Sequence, residues 1–310
     1  MAKTASGCRN MHQYSILMDF AEDFPSGSRN SMKKSIMRQT SELAEWSSEI
    51  VALAEAAGAG VLAVYRRWQA LGDGVRGPGR SDKADGSPLT EADVLSHNII
   101  ADGLGRLCPH VPLVSEEGAK PAAERLRGSD FWLVDPLDGT REFIDRNGEF
   151  TVNIALVRDG FPVFGVVVAP VLEQTYWGGL GLGAFRCDPH RSQEIRVSLQ
   201  PSRPWRVVAS RSHMDDQTAR FISGLGPHCL IQSGSSLKFC RVAEGSADVY
   251  PRFGPTCEWD TAAAHAVLRA AGGRIARLDG TELGYGKSGF LNPAFIASGV
   301  PMSGLPAEAP

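Results

Sequence analysis

Hydrophobic positions fall into two rhythms along this chain. From Ser41 onward Leu43, Trp46, Ile50, Leu53, Ala57, Val61, Val64, Tyr65 and Trp68 recur at steps of three and four, which predicts a long amphipathic helix stopping near Leu71. Gly72-Asp73-Gly74 opens a loop rich in Gly, Pro, Ser and Asp that runs to Pro88. Loops of that length inside compact domains tend to be functional or mobile. Thr90-Glu91-Ala92-Asp93 starts a second helix to about Leu107. The rhythm then shortens. Residues 131–134, 150–157 and 161–168 read as strands, the last two joined by an Asp159-Gly160 hairpin turn, and 178–185 and 195–199 extend the antiparallel set. Past Arg203-Pro204 the texture alternates: strand 206–209, helix near 215–225, a Gly-Ser-Ser turn into helix 237–244, helix 261–271 ended by Gly272-Gly273, and a last strand at 294–298. Blocks first and alternation later predict an α+β part joined to an α/β part.

The first forty residues carry six Lys/Arg (Lys3, Arg9, Arg29, Lys33, Lys34, Arg38) against three acids, without a sustained period. They are expected to be a disordered extension, or a stretch upstream of a start at Met32 or Met37. The expected organisation is therefore 1–40 extension, 41–199 metal-binding subdomain, 200–310 substrate subdomain.

Hydrophobic residues make up 43% of the 310 and charged residues 22%, enough for an ordinary core. The net charge of −3 argues against a nucleic-acid polymer as partner. The apolar stretch 161–172 holds Pro162, Gly165 and Pro170 and is too short to cross a bilayer, so no membrane span is expected. The six cysteines include no CxxC pair, the closest being Cys229 and Cys240, and read as reduced thiols of a cytoplasmic protein.

The chemistry concentrates at Asp135-Pro136-Leu137-Asp138-Gly139-Thr140. A buried strand ends on Asp135, Pro136 stiffens the turn, and Asp138 follows, so two carboxylates can converge at one strand end. Gly139 and Thr140 open a short helix whose free N–H groups favour an anion. Carboxylates facing an anion make sense with cations between them, and hard divalent ions such as Mg²⁺ take oxygen ligands. Glu116-Glu117 follows another apolar strand, and Asp260 stands between Trp259 and a helix. Each acid has a plain alternative: Glu116 solvated, Asp138 and Asp260 as helix caps, Asp93 in a capping box.

Together these residues resemble the inositol monophosphatase-like, Mg²⁺-dependent, lithium-sensitive phosphatases. Four longer runs narrow the likeness to the CysQ-type 3′(2′),5′-bisphosphate nucleotidases: Lys83 to Thr90, Arg146 to Ile154, Gly234-Ser235-Ser236-Leu237-Lys238-Phe239-Cys240, and Tyr250 to Thr256. The resemblance covers about 43–296. It implies a layered αβαβα sugar-phosphatase fold. It implies two or three Mg²⁺, with Glu116, Asp135 and the Leu137 carbonyl at one, and Asp135, Asp138 and Asp260 at another. Asp93 and Thr140, with Glu116, resemble the group that orients the attacking water. Gly139, Ser235, Lys238 and Arg252 complete the substrate contacts; Glu117 stays outside the ligand set. His213 lies in a run resembling a substrate-facing loop, and is equally readable as a surface histidine. Arg141 stands where the branch usually has lysine, which is expected to alter substrate affinity at most.

The activity this implies is removal of the 3′-phosphate from 3′-phosphoadenosine 5′-phosphate, giving AMP, with the sulfated nucleotide 3′-phosphoadenosine 5′-phosphosulfate also accepted, in sulfur assimilation. The alternatives are an inositol monophosphatase, a sugar bisphosphatase, or a catalytically silent nucleotide-binding regulator. The expected partner is a small nucleotide. The chain is expected to act as a monomer or homodimer in the cytoplasm, with loose attachment to the inner membrane's cytoplasmic face left open. The loop 72–88 is expected to close over the site.

Overall fold

The computed structural model describes residues 26–71, 81–82, 88–122, 126, 128–210 and 214–299. Its first element is α1, Ser26–Ala70. Helix therefore replaces the expected extension from residue 26 onward. Adding residues to an already packed helix costs little compared with nucleating one, and no proline interrupts this stretch. Leu43, Ile50, Ala54, Ala57, Val61, Val64, Tyr65 and Trp68 form its buried stripe. Within 37–70 the helix holds an 18-residue window of mean hydropathy 1.5, long and apolar enough by length and composition to cross a membrane. In the structure that apolar side lies on a sheet.

Short strands β1 (Ser81–Asp82) and β2 (Pro88–Leu89) pair antiparallel, and α2 spans Glu91–Leu107. The rest of the loop expected to close over the site, and His213, lie outside the described residues. A seven-stranded sheet follows in simple order: β3 (Leu113–Ser115), β4 (Phe131–Asp138), β5 (Thr151–Arg158), β6 (Phe161–Ala169), β7 (Gln174–Gly179), β8 (Gly183–Asp188) and β9 (Arg191–Glu194). β3 and β4 run parallel and every later pair antiparallel. A short helix α3, Thr140–Ile144, follows β4. Asp159 and Gly160 both have positive φ (52° and 78°), as the tight β5–β6 hairpin requires.

The run 178–185 is split between β7 and β8 by a turn at Leu180-Gly181-Leu182, and 195–199 lies beyond the last strand. The continuous apolar run concealed that turn. A second sheet has the order β11 (His228–Ser233), β10 (Trp205–Ser210), β12 (Val249–Arg252), β16 (Phe295–Ser298), β14 (Arg274–Arg277). Helices α4 (Asp216–Gly224), α5 (Leu237–Ala243) and α6 (Ala262–Ala270) accompany it, and β13 (Thr256–Cys257) pairs with β15 (Leu291–Asn292).

Strand alternation sorts the core into the spaces between layers. Trp132, Val134, Ile154, Leu156 and Val166 join the cluster of α1 and α2. Their neighbours Leu133, Ala155, Val157 and Val167 face the other way and join Leu237, Val242, Val267 and Leu268 of α5 and α6. Val207, Ala209, Val249 and Ile296 pack with Phe221 and Ile222 of α4. The result is five layers, helix–sheet–helix–sheet–helix, as expected. Close approach in the middle needs small residues. A Cβ on Gly165 of β6 would come within 2.2 Å of the Ala263 carbonyl of α6. In sequence α6 belongs to the later part of the chain, yet it seals the first sheet. That interlock brings both parts to one cleft.

Candidate active site

The cleft begins with a defect in the large sheet. Pro136 has no N–H to give the ladder, and the β4–β5 register shifts between Asp135, opposite Asn153, and Asp138, opposite Thr151. Residues three apart on a regular strand face opposite sides. The bulge turns Asp135 and Asp138 toward the same cavity. Leu137 N donates to Asp135 Oδ1 at 3.0 Å, and Ser96 of α2 ties down the Pro136 carbonyl at 2.7 Å. Beside them, Glu116 follows β3 and donates its backbone N–H to the Val134 carbonyl at 3.1 Å. The strand expected to end at Asp135 thus runs on through Asp138.

Gly139 then takes φ 88°, and a Cβ there would land 2.1 Å from Ser235 Oγ. Only glycine fits this approach between the two parts of the chain. Ser235 Oγ lies 2.8 Å from both the Asp138 and Glu149 carbonyls, and Ser235 itself has φ 46°. On the same wall Lys238 is 7% exposed and donates Nζ to the Ser235 carbonyl at 2.6 Å. Arg252 at the end of β12 donates Nη2 to the Pro255 carbonyl at 3.1 Å. Asp260 Oδ2 accepts from Cys257 N at 2.8 Å, and Thr140 Oγ1 donates to the Leu137 carbonyl at 3.4 Å.

These groups surround one cavity of about 310 Å³. Its lining holds Glu116, Asp135, Leu137, Asp138, Gly139, Thr140, Ser235, Lys238, Arg252 and Asp260. Asp93 is not on that lining. It is buried at the third position of α2, where Oδ2 accepts from Thr90 N at 2.8 Å and Thr90 Oγ1 at 2.6 Å. The capping box read as its plain alternative is therefore formed. Arg141 also lines the mouth. Sequence reasoning missed Glu142, Ser210, Phe239, Tyr250, Thr256 and Thr261. Ser210 ends a strand, and Phe239, Tyr250 and Thr256 stand in the runs shared with the CysQ-type branch, signals that could have found them; Glu142 and Thr261 adjoin the acidic motifs without a mark of their own.

The cavity's electrostatics are frustrated. Burial pushes Asp135 well above the usual carboxylate range, and Glu116, Asp138 and Asp260 push it further. Asp260 is raised well above that range by burial and then by Asp138. Asp138 is raised by burial, against the lowering pull of Lys238 first and of the Asn153 amide. Lys238 is lowered by burial, with Asp138 opposing. Among the described residues no three His, Cys, Asp or Glu side chains are already drawn into a closed metal cluster. The donor set nevertheless suits a hard divalent cation. It is all oxygen, and its buried carboxylates need positive charge before they can all ionise.

Comparison with known proteins agrees with this geometry. Residues 42–303 match the model of the inositol monophosphatase family. The 3′(2′),5′-bisphosphate nucleotidase CysQ of Salmonella typhimurium is 46% identical over 248 residues, 80% of this chain and 97% of that protein. The Escherichia coli K12 enzyme of the same name is 46% identical over 251 residues, 81% of this chain and 98% of its own. Among solved structures, CysQ from Bacteroides thetaiotaomicron superimposes with a TM-score of 0.68 at 41% identity, covering 81% of this chain and 97% of that one. Inositol monophosphatase from Anabaena gives 0.66 at 25% identity over 86% and 98%. This chain belongs to the inositol monophosphatase family. Within it the likeness is to the CysQ-type branch, and dependence on Mg²⁺ is general to the family.

Proposed function

We propose that the chain is a phosphomonoesterase acting on 3′-phosphoadenosine 5′-phosphate to give AMP and phosphate, and that it accepts 3′-phosphoadenosine 5′-phosphosulfate as well. One observation carries the reading. Five carboxylates (Glu116, Asp135, Asp138, Glu142 and Asp260) and a buried lysine line one cavity, in a chain 46% identical to CysQ nucleotidases along nearly their whole length. Glu116, Asp135 and the Leu137 carbonyl would hold one Mg²⁺; Asp135, Asp138 and Asp260 would hold a second, in a site taking two or three ions. When bound, these ions lower the pKa of the attacking water and neutralise charge on the leaving oxygen. Thr140, with Glu116, orients that water and takes its proton; Asp93, buried off the cavity lining in the capping box, is left out of that role. Lys238, Ser235 and Arg252 bind the nucleotide, with Arg252 directed to the phosphate that is kept. Residues 41–199 then supply most of the metal ligands, and 200–310 supply Asp260 and the nucleotide contacts. Cys108, Cys187, Cys229, Cys240 and Cys257 are free thiols, which supports a cytoplasmic setting.

The test is phosphate release from 3′-phosphoadenosine 5′-phosphate, inositol 1-phosphate and fructose 1,6-bisphosphate, with Mg²⁺ and with chelator, beside Asp138→Asn. A strong preference for the nucleotide, lost in the variant and with chelator, is expected. Preference for inositol or sugar phosphate would leave the metal chemistry standing and overturn the role given to Lys238. Nucleotide binding without phosphate release would overturn the enzymatic reading.

A further inference from the structure

We propose that Asn153 and Ser236 are positioning residues that fix the Asp138 carboxylate relative to Asp260 for Mg²⁺ binding; this rests on the metal roles proposed above. Asn153 interrupts the apolar run Thr151-Val152-Asn153-Ile154-Ala155 in the middle of the large sheet and is 0% exposed. Its Nδ2 donates to Asp138 Oδ2 at 3.3 Å and to Ser236 Oγ at 3.0 Å. Ser236 Oγ, accepting from Asn153, has one proton left to give. It goes to the Asp260 carbonyl at 2.7 Å. The link therefore has a fixed direction, from the amide to the carboxylate on one side and through the hydroxyl to the Asp260 backbone on the other.

Turning the amide over would set its oxygen against the Asp138 carboxylate, so the orientation is imposed by that acceptor. The other end of the amide shows what the arrangement costs. Asn153 Oδ1 is buried and has no hydrogen-bond partner. A residue kept for stability would satisfy both ends or be apolar. Asn153 instead spends its two donors on joining β5 to the start of α5, while Ser236 joins α5 to the loop before α6. Those elements carry ligands from both parts of the chain. Partners that orient metal ligands typically govern affinity by tenfold or more.

The experiment is calorimetric titration of the metal-free protein with Mg²⁺, together with thermal melting, for the unmodified chain and for Ser236→Ala, Ser236→Thr, Asn153→Leu and Asp138→Asn. Ser236→Ala and Asn153→Leu are expected to weaken Mg²⁺ binding about tenfold. Asn153→Leu should melt no lower than the unmodified chain, and Ser236→Thr, which keeps the hydroxyl, should bind as the unmodified chain does. Unchanged affinity in Ser236→Ala, with Asp138→Asn binding lost, would overturn the positioning role and leave the metal reading intact. Unchanged affinity in Asp138→Asn would overturn the metal reading itself, and the positioning role with it.

Discussion

Two kinds of buried carboxylate stand in this molecule, and their surroundings are opposite. Asp248 and Glu258 are both 0% exposed and fully provided for. Asp248 accepts from Arg206 Nη2 at 2.7 Å, Arg206 N at 2.8 Å and Ser202 N at 3.2 Å. Glu258 accepts from Lys287 N at 2.9 Å and Gly286 N at 2.7 Å, and pairs with Lys287 Nζ at 2.6 Å. Asp260 lies two residues from Glu258, yet it faces Asp138 and Glu116, as Asp135 does. The chain can therefore supply donors to a buried acid where it needs one for structure. In the cleft it gathers acids against one another, which suits a site whose counter-charge comes from a ligand.

Substitution should separate the two kinds. Asp135→Asn is expected to lower kcat/KM about a thousandfold, roughly 4 kcal/mol of transition-state stabilisation. Its metal-free melting temperature should hold or rise, because one of several repelling acids has gone. Asp248→Asn is expected to cost about 3 kcal/mol of stability by leaving Arg206 without its counter-charge, with turnover per folded molecule kept. Steady-state kinetics and denaturant melts measure both. A destabilised Asp135→Asn beside an inactive but stable Asp248→Asn would invert the comparison.

A smaller effect is expected on the cationic wall. Lys238 is held in the first turns of α5 with its ammonium on the Ser235 carbonyl, opposite the acids. Lys238→Met keeps most of the packing against Tyr250 and removes the charge. KM for the nucleotide should rise about thirtyfold, roughly 2 kcal/mol, as for a lost charge-assisted hydrogen bond to phosphate, with a smaller change in kcat. An unchanged KM would take Lys238 out of the substrate site.

The acids were legible because each sits at an element boundary that the hydrophobic rhythm marks; Lys238 was singled out by the family resemblance. Asp135 and Asp138 end an apolar run, Glu116 follows another, and Asp260 precedes a run of alanines. The division into an α+β part and an α/β part was legible for the same reason, since strand and helix periods differ, while the five layers were implied by the family resemblance. What was hidden depends on pairing rather than on local pattern. The bulge at Pro136-Leu137 exists only against β5. The parallel edge strand β11 is exposed along His228-Cys229-Leu230 and carries no clean alternation. Helix from 26 to 40 depends on the packed turns that follow it. Asn153 stood inside the run Arg146 to Ile154 without a role of its own, and its partners Asp138 and Ser236 are brought to it by the fold from two other elements. Asp93 was legible twice over, as a cap and as an acid, and the structure shows the cap.

The smallest effect is a slope, and it tests the frustration of the cleft directly. In the metal-free fold Asp135 and Asp260 are raised above their unfolded values, by burial first and then by the facing acids. The folded state then binds more protons than the unfolded chain across the interval between the two values. These groups contribute stability that is complete below the unfolded value near 4 and is lost as pH rises through the folded one. A bound cation reverses the sign, since it favours the ionised acids and competes with protons for them. The rise in melting temperature produced by a fixed excess of Mg²⁺ should therefore grow by a few degrees between about pH 5 and pH 8. Asp135→Asn should flatten that slope. A Mg²⁺ effect that shrank toward pH 8 would mean that the acids of the cleft are not held back by one another, and the contrast between the two kinds of buried carboxylate would fail.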